Sequence, residues 1–350
     1  MQGENEIMNA AIATGDGGLL GVGHGDPSLI EEDAAVWLSP NGRRWRRVDT
    51  EPLRAAGAQR MVDVAAFGDG YVAIGYSGDD AAVWATEDGV RGWGLVEVIP
   101  ESGLQVMRKI VPIDRGLLVV GRNEVGGETD AASWVSTDGI SWERVSDDAL
   151  QGPGEQAMWT AVEIDGAVFG LGESADGFGA TDPAVWRLDD EGWTSIDAGL
   201  AAPGQQEMRE VAVAGDGTVV AVGIDGETGA TDAAIWTSSA PALTEWETAD
   251  GRFDMPGDQQ LLGIVATDRG FVAMGWTGLT EGSHDALVWT SPNGSNWRRP
   301  RASSTPMVQL GGPGNQEVRA IAEFGRLLVA VGVSAGDEEN AGLWIGTPTD

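Results

Sequence analysis

The chain has no cysteine in 350 residues, a single lysine (Lys109), two histidines and two tyrosines. Missing thiols exclude disulfides, thiolate metal sites and cysteine nucleophiles, and leave the compartment open. No run of 18 apolar residues is present, so no membrane insertion is expected. Helical periodicity is missing as well: no stretch keeps apolar residues at i, i+3, i+4 and i+7 for three turns. There is no basic run, and the formal charge is −34 at pH 7. That field repels nucleic acid and anionic surfaces. It reads as a solubility surface or salt adaptation, or else as a field drawing cations or basic partners. Residues 1–8 are acidic, unlike a signal peptide, and lead at once into the first repeat, as in a mature or trimmed domain.

Glycine (53 residues) and tryptophan (15 residues) are plentiful. One unit explains most of the tryptophan. Asp130-Ala-Ala-Ser-Trp134-Val-Ser136-Thr-Asp138-Gly139-Ile-Ser-Trp142 recurs with drift, as in Asp33…Trp37-Leu-Ser39-Pro-Asn41-Gly42-Arg-Arg-Trp45. Its first tryptophan returns at Trp37, Trp84, Trp134, Trp186, Trp236, Trp289 and Trp344, in steps of 47, 50, 52, 50, 53 and 55 residues. A period near 50 marks a repeat architecture.

Each copy reads as four short strands parted by glycine turns, such as Gly15-Asp16-Gly17-Gly18 and Asp138-Gly139. Asp-Gly and Asn-Gly between apolar runs signal hairpins, because both turn residues tolerate positive φ. Seven such units predict a single all-β domain over 1–350, a seven-bladed β-propeller with four-stranded antiparallel blades. The approximate repeats are 6–54, 55–102, 103–153, 154–203, 204–256, 257–313 and 314–350. After Trp344 too few residues remain for a fourth strand, so the last blade is expected to be three-stranded, its edge softened by Pro348 and Asp350. The alternative is a trimmed C-terminal strand. A two-residue turn at Asp138-Gly139 would set Val135 opposite Trp142. Trp134 and Trp142 would then point to opposite faces, giving each neighbouring blade one indole.

The turn segments Ser39-Pro-Asn41-Gly42-Arg-Arg-Trp45, Ser136-Thr-Asp138-Gly139-Ile-Ser-Trp142 and Ser291-Pro-Asn293-Gly294-Ser-Asn-Trp297 resemble the Asp-box of sialidase-like propellers. The spacing is one residue shorter than the usual form, and copies four and five have lost the motif. The chain is also similar to Trp-rich repeat proteins of high-GC bacteria, a resemblance that implies a secreted or surface-attached protein. Kelch propellers share the period, but their double glycine is missing here. Sialidase chemistry would need an arginine triad, a Tyr–Glu nucleophile pair and an Asp acid/base. Here Tyr71 and Tyr76 share one unit, and the Arg-Ile-Pro segment of sialidases is absent.

Long connections gather on one side of the disc, where binding residues concentrate. Two repeated positions there look structural. One holds Glu6, Gln59, Gln105, Gln156, Gln206, Gln259 and Gln316, which reads as an amide ring bonding the neighbouring blade's loop, or one holding waters or a polar ligand. The other holds Asp33, Asp80, Asp130, Asp182, Asp232, Asp285 and Asn340, which read as backbone caps. No cofactor is expected. The alternative is calcium on Asp225, Glu227 and Asp232 of one loop, although their spacing is not that of an EF-hand.

Two further positions vary between copies. After the glycine ending strand two come His24, Tyr76, Arg122, Glu173, Ile224, Trp276 and Val333. After the strand-one methionine or its equivalent come Asn9, Val62, Arg108, Trp159, Arg209, Leu262 and Arg319. The candidate ligand-binding residues are therefore His24, Tyr76, Arg108, Arg122, Trp159, Glu173, Arg209, Trp276 and Arg319, a platform for protein or carbohydrate. The plainer reading is that some of them plug the channel. With no catalytic constellation in the sequence, the expectation is a non-enzymatic, extracellular or surface-displayed monomer that binds protein or glycan. A sialidase-like glycan hydrolase using Glu173 and Asp176 is the alternative, and a purely structural spacer is a third reading.

Overall fold

The computed structural model describes residues 6–25, 32–48, 53, 57–78, 80–99, 103–152, 154–175, 180–227, 230–249, 253, 257–280, 283–300, 311, 314–335 and 339–347. Strands run in consecutive antiparallel meanders. The first holds β1 (Glu6–Ala13), β2 (Leu19–Gly25), β3 (Asp33–Ser39) and β4 (Arg46–Val48). The second holds β5 (Gln59–Phe67), β6 (Gly70–Ser77), β7 (Asp80–Thr86) and β8 (Gly94–Ile99). The third holds β9 (Leu104–Ile113), β10 (Gly116–Val125), β11 (Glu128–Ser136) and β12 (Glu143–Arg144). Next come β13 (Gln156–Ile164), β14 (Ala167–Ala175), β15 (Thr181–Asp189) and β16 (Gly192–Ile196). They are followed by β17 (Gln205–Val213), β18 (Thr218–Glu227), β19 (Ala230–Ser239) and β20 (Glu247–Thr248). The last two sheets are β21 (Asp258–Thr267), β22 (Gly270–Thr280) and β23 (Ser283–Ser291), then β24 (Gln316–Phe324), β25 (Leu327–Ala335) and β26 (Glu339–Gly346). The result is an all-β propeller of small antiparallel sheets.

The expected blade set needs correction. Among the described residues five units have four strands and two have three, and hydrogen bonds join them into six sheets rather than seven. The fourth and fifth units merge through one parallel pairing, Thr181 with Gln205. In the sixth unit the expected fourth strand shrinks to a lone bridge between Thr290 and Arg298. Pro300 follows two residues later and has no N–H for another rung. Pro348 and Asp350 lie outside the described residues.

The tryptophan geometry also differs from the expectation. Val135 pairs with Glu143 and Trp134 with Arg144, so Trp142 falls on the same face as Trp134. The turn is longer than two residues. Asp138 Oδ1 accepts from the backbone N–H of Ile140 (2.8 Å) and Ser141 (2.7 Å), and Ser136 Oγ accepts from Gly139 N–H at 2.8 Å. Asn41 and Asp88 hold their turns in the same way. Gly42, Gly89, Gly139 and Gly294 take φ of 69°, 68°, 73° and 78° there, a region that L side chains disfavour. Both tryptophans of a unit consequently pack on the preceding one. Trp134 and Trp142 share one core cluster with Val72, Ile74 and Val83, and Trp84 and Trp93 share another with Leu20, Val22 and Val36. Each buried indole removes roughly 150–250 Å² from water, about 4–6 kcal/mol gross as an upper bound.

One irregularity repeats in all seven innermost strands. The residue after the strand-one methionine or its equivalent is bulged out of the ladder. Met8 pairs with Gly23 and Ala10 with Val22, leaving Asn9 without a partner; Val62, Arg108, Trp159, Arg209, Leu262 and Arg319 are skipped likewise. The strand-two glycine opposite the methionine lets the backbones close on each other. A Cβ at Gly23, Gly75, Gly121, Gly172, Gly223, Gly275 or Gly332 would overlap the carbonyl oxygen of the residue before the methionine. A bulge re-aims the extra side chain, and all seven bulged residues are half-buried.

The first and last sheets pack together. Met8, Leu19 and Trp37 share a core with Val329 and Val331, and Ile7 joins Val333 and Ala335. Arg319 Nη1 donates to Asn9 Oδ1 at 2.8 Å across the same seam.

Candidate ligand-binding site

The bulges define a layer at the centre of the propeller. Beneath them, one residue further along each inner strand, lie Ala10, Asp63, Lys109, Thr160, Glu210, Gly263 and Ala320. The polar members of this lower layer form one network. Lys109 Nζ stands 2.6 Å from Glu210 Oε2 and 3.9 Å from Asp63 Oδ2. Thr160 Oγ1 donates to Glu210 Oε1 at 2.7 Å, and Ile110 N–H donates to Asp63 Oδ2 at 3.1 Å. Burial opposes the Lys109 charge, but Asp63 and Glu210 outweigh it and hold the ammonium above the usual lysine range. Burial likewise pushes the Asp63 carboxyl up, against the pull of Lys109. The network ties together the inner strands β5, β9, β13 and β17, so the bulge layer has a floor under that half.

Above the floor, five of the nine candidates come together. Trp159 of β13 sits between the neighbouring inner strands, with Arg108 Cζ of β9 4.3 Å and Arg209 Cζ of β17 4.4 Å from its ring centroid. Its indole N–H donates to Glu173 Oε1 at 3.1 Å. Arg209 Nη2 pairs with Glu207 Oε2 at 2.5 Å, and Arg122 Nη2 with Glu124 Oε1 at 2.8 Å. Arg108 has neither: among the described residues no carboxylate lies within salt-bridge distance of it, and its buried Nε has no acceptor. The Nε atoms of Arg122 and Arg209 are buried without an acceptor too. Burial, then Arg122 and Arg209, bring the Arg108 guanidinium down to about 10. Glu173, 9% exposed, is raised to about 7 by burial and the nearby Glu207, against the Trp159 hydrogen bond and Arg209.

The other four candidates lie elsewhere around the ring. His24 is 1% exposed and touches Asn9, whose Nδ2 stands 3.5 Å from His24 Nδ1 and donates to the Met61 carbonyl at 2.7 Å. Burial, with Arg60 and Arg319, lowers His24 to about 3, which makes it a neutral wedge. Tyr76 lies under Arg60, 5.5 Å from its Cζ, and Arg60 pairs with Glu32 at 2.8 Å. Trp276 stacks on His284 with centroids 4.0 Å apart. His284 Nδ1 in turn meets Glu317 Oε1 at 3.0 Å, and Arg319 Nη2 stands 3.6 Å from Glu317 Oε2. Asp176, the proposed companion of Glu173, lies outside the described residues.

No protein-family model and no curated protein matches the chain. Solved structures do. YCF48 bound to a D1 peptide is similar at 14% identity and TM-score 0.62, over 99% of this chain and 95% of that one. Sqt1 from Chaetomium thermophilum, bound to the N-terminus of ribosomal protein L10, is 14% identical with TM-score 0.54, over 99% and 89%. YjhT is 12% identical with TM-score 0.51, over 81% and 96%. At these identities the likeness is one of fold.

The sequence reading missed Glu207, Arg60 and Glu317. All three precede the strand-one methionine or its equivalent and pair across the ladder with the variable strand-two position: Arg60 with Tyr76, Glu207 with Ile224, Glu317 with Val333. That position varies as well, reading Ile7, Arg60, Val106, Ala157, Glu207, Gln260 and Glu317, so the signal was present. Where bonds of the glutamine ring are described, they go to nearby protein groups. Gln206 Nε2 donates to the Pro203 carbonyl (3.1 Å) and to Asp225 Oδ1 (3.0 Å), and Glu6 pairs with Arg47 at 2.9 Å. Asp182 Oδ1 accepts from Ala202 N–H at 3.1 Å, a backbone cap. Among the described residues no group of three histidine or carboxylate side chains is arranged to hold a metal.

Proposed function

We propose that the chain is a non-enzymatic binding propeller that takes a protein segment on its long-loop face, as a secreted or cell-surface monomer. We read its meanders as seven blades, counting the fourth and fifth units separately because one pairing joins them. We read the turns after β3, β7, β11 and β23 as Asp-boxes, on the strength of the shared Ser/Thr and Asp/Asn bonding. The observation that carries the binding reading is the Arg108–Trp159–Arg209 stack. A polar cluster with unmet hydrogen-bond capacity at the centre of a rigid ring is suited to a partner's polar groups.

Protein is favoured over glycan by the state of the aromatic rings. A sugar platform needs an open ring face. Guanidiniums reach Trp159 from both flanking blades, and His284 covers Trp276. YCF48 and Sqt1 are bound to peptides in the structures similar to this one, which supports the same choice.

Panning a displayed peptide library on the purified protein tests the reading. Binders should emerge whose affinity falls at least about tenfold, or 1.4 kcal/mol, with Trp159→Ala. Glycan-array binding without peptide binders would overturn it, as would peptides indifferent to Trp159→Ala.

A further inference from the structure

The charges around Trp159 are unevenly met. Arg209 has Glu207 and Arg122 has Glu124, whereas Arg108 stacks on the indole and has no carboxylate within ion-pair distance among the described residues. Among the described residues Arg108 makes no hydrogen bond or ion pair, and Nε is its one fully buried unpaired nitrogen, so its two Nη groups are left to meet a ligand. A planar anion that accepts two parallel N–H bonds matches those two groups in charge and shape. A carboxylate fits a guanidinium fork in that way.

We propose that Arg108, with Arg122 beside it, is a carboxylate-binding subsite for an acidic side chain or the C-terminus of a peptide, and that Glu173 gates it by taking up a proton. The subsite deepens the binding reading given above and rests on it for the identity of the larger ligand. The charged and titratable groups facing Glu173 come from several elements: Arg108 on β9, Glu207 and Arg209 on β17, and Glu155 just before β13, with the Trp159 N–H of β13 bonded to it. When Glu173 is ionised it already offsets part of the Arg108 charge and repels an incoming carboxylate. When it is neutral both effects vanish, so binding draws a proton from solution. Glu173 sits near 7, so the competent form goes from about nine-tenths populated near pH 6 to about one-tenth near pH 8, a roughly tenfold change in apparent affinity.

The test follows arginine Nε–Hε resonances by NMR, with Arg108→Lys used to assign the Arg108 signal. Two probes supply the two carboxylate sources, N-acetyl-aspartate N-methylamide for the side chain and N-acetylglycinate for the chain end. N-acetyl-asparagine N-methylamide is the neutral control. At least one carboxylate should move the Arg108 signal saturably, about tenfold more tightly near pH 6 than near pH 8; the neutral amide should not. Glu173→Gln should keep binding and lose the pH dependence. No saturable shift with either carboxylate overturns the subsite, and an equal pH dependence in Glu173→Gln overturns the gate. Neither result depends on finding a peptide partner, so failure here is separable from failure of the binding reading.

Discussion

Gly172→Ala probes the bulge that aims Trp159. Gly172 pairs with Met158, directly beside the skipped tryptophan. A Cβ at Gly172 would overlap the Ala157 carbonyl oxygen and press on the Ala157 carbonyl carbon at 2.9 Å and Met158 Cα at 3.0 Å. All three are backbone atoms, so no rotamer change relieves the clash. The strand must open at the bulge, which moves Trp159 away from Arg108 and Arg209. Overpacking costs about 1–3 kcal/mol, and rigid surroundings place this case at about 3 kcal/mol. With an m-value of about 3 kcal/mol/M, the urea midpoint should fall by about 1 M. Gly215→Ala is the control: a Cβ there meets nothing within 4 Å, and its φ lies outside the left-handed region. It should stay within about 0.5 kcal/mol of wild type or gain slightly. Tryptophan fluorescence and far-UV circular dichroism, followed through the same urea titration, provide the readout. Equal midpoints for the two variants would refute the close-approach argument.

Three further outcomes are expected. Lys109→Met strands Asp63 and Glu210 without their cation and should cost about 3 kcal/mol; adding Asp63→Asn and Glu210→Gln should recover most of the urea midpoint, and a neutral single variant would deny the network its role. His24 stays neutral in the fold down to about 3, whereas the unfolded chain protonates at about 6.5. The unfolded state therefore binds the extra proton, and stability is lost as pH falls from about 6.5 towards 3; His24→Asn should flatten that slope between neutral and acidic urea titrations. Trp84→Ala should cost about 3–5 kcal/mol, and Trp84→Phe clearly less, since the Trp84 Nε1 has no hydrogen-bond partner to lose; equal losses would contradict a packing role.

Much of the fold was legible because its units repeat. The strand-two glycine and the tryptophans recur wherever the backbone or the blade contact demands them, so Gly23, Gly75 and Gly121 carry one message in different places. The facing of Trp142 was not legible. It depends on Ser136 and Asp138 drawing four backbone amides into a longer turn, and one added residue reverses which face a strand residue occupies. The candidate site divided along similar lines. Arg108, Arg122, Trp159, Glu173 and Arg209 stood out because their positions vary between copies, and they do meet. His24, with the same variability, proved to be a buried wedge. Variation shows that packing does not dictate one residue; it does not show whether the place is open.

By itself the sequence determined the strand periodicity, the turn chemistry and the list of positions released from scaffold duty, since these follow from local backbone preference and repetition. Tertiary structure alone decided which of those positions share a neighbourhood. Closure brings Arg319 to Asn9 across 310 residues, and three successive inner strands bring Arg108, Trp159 and Arg209 into one stack. Guanidinium, indole and carboxylate alter one another's charge only over a few ångströms in a buried setting. Sequence spacing cannot supply that distance.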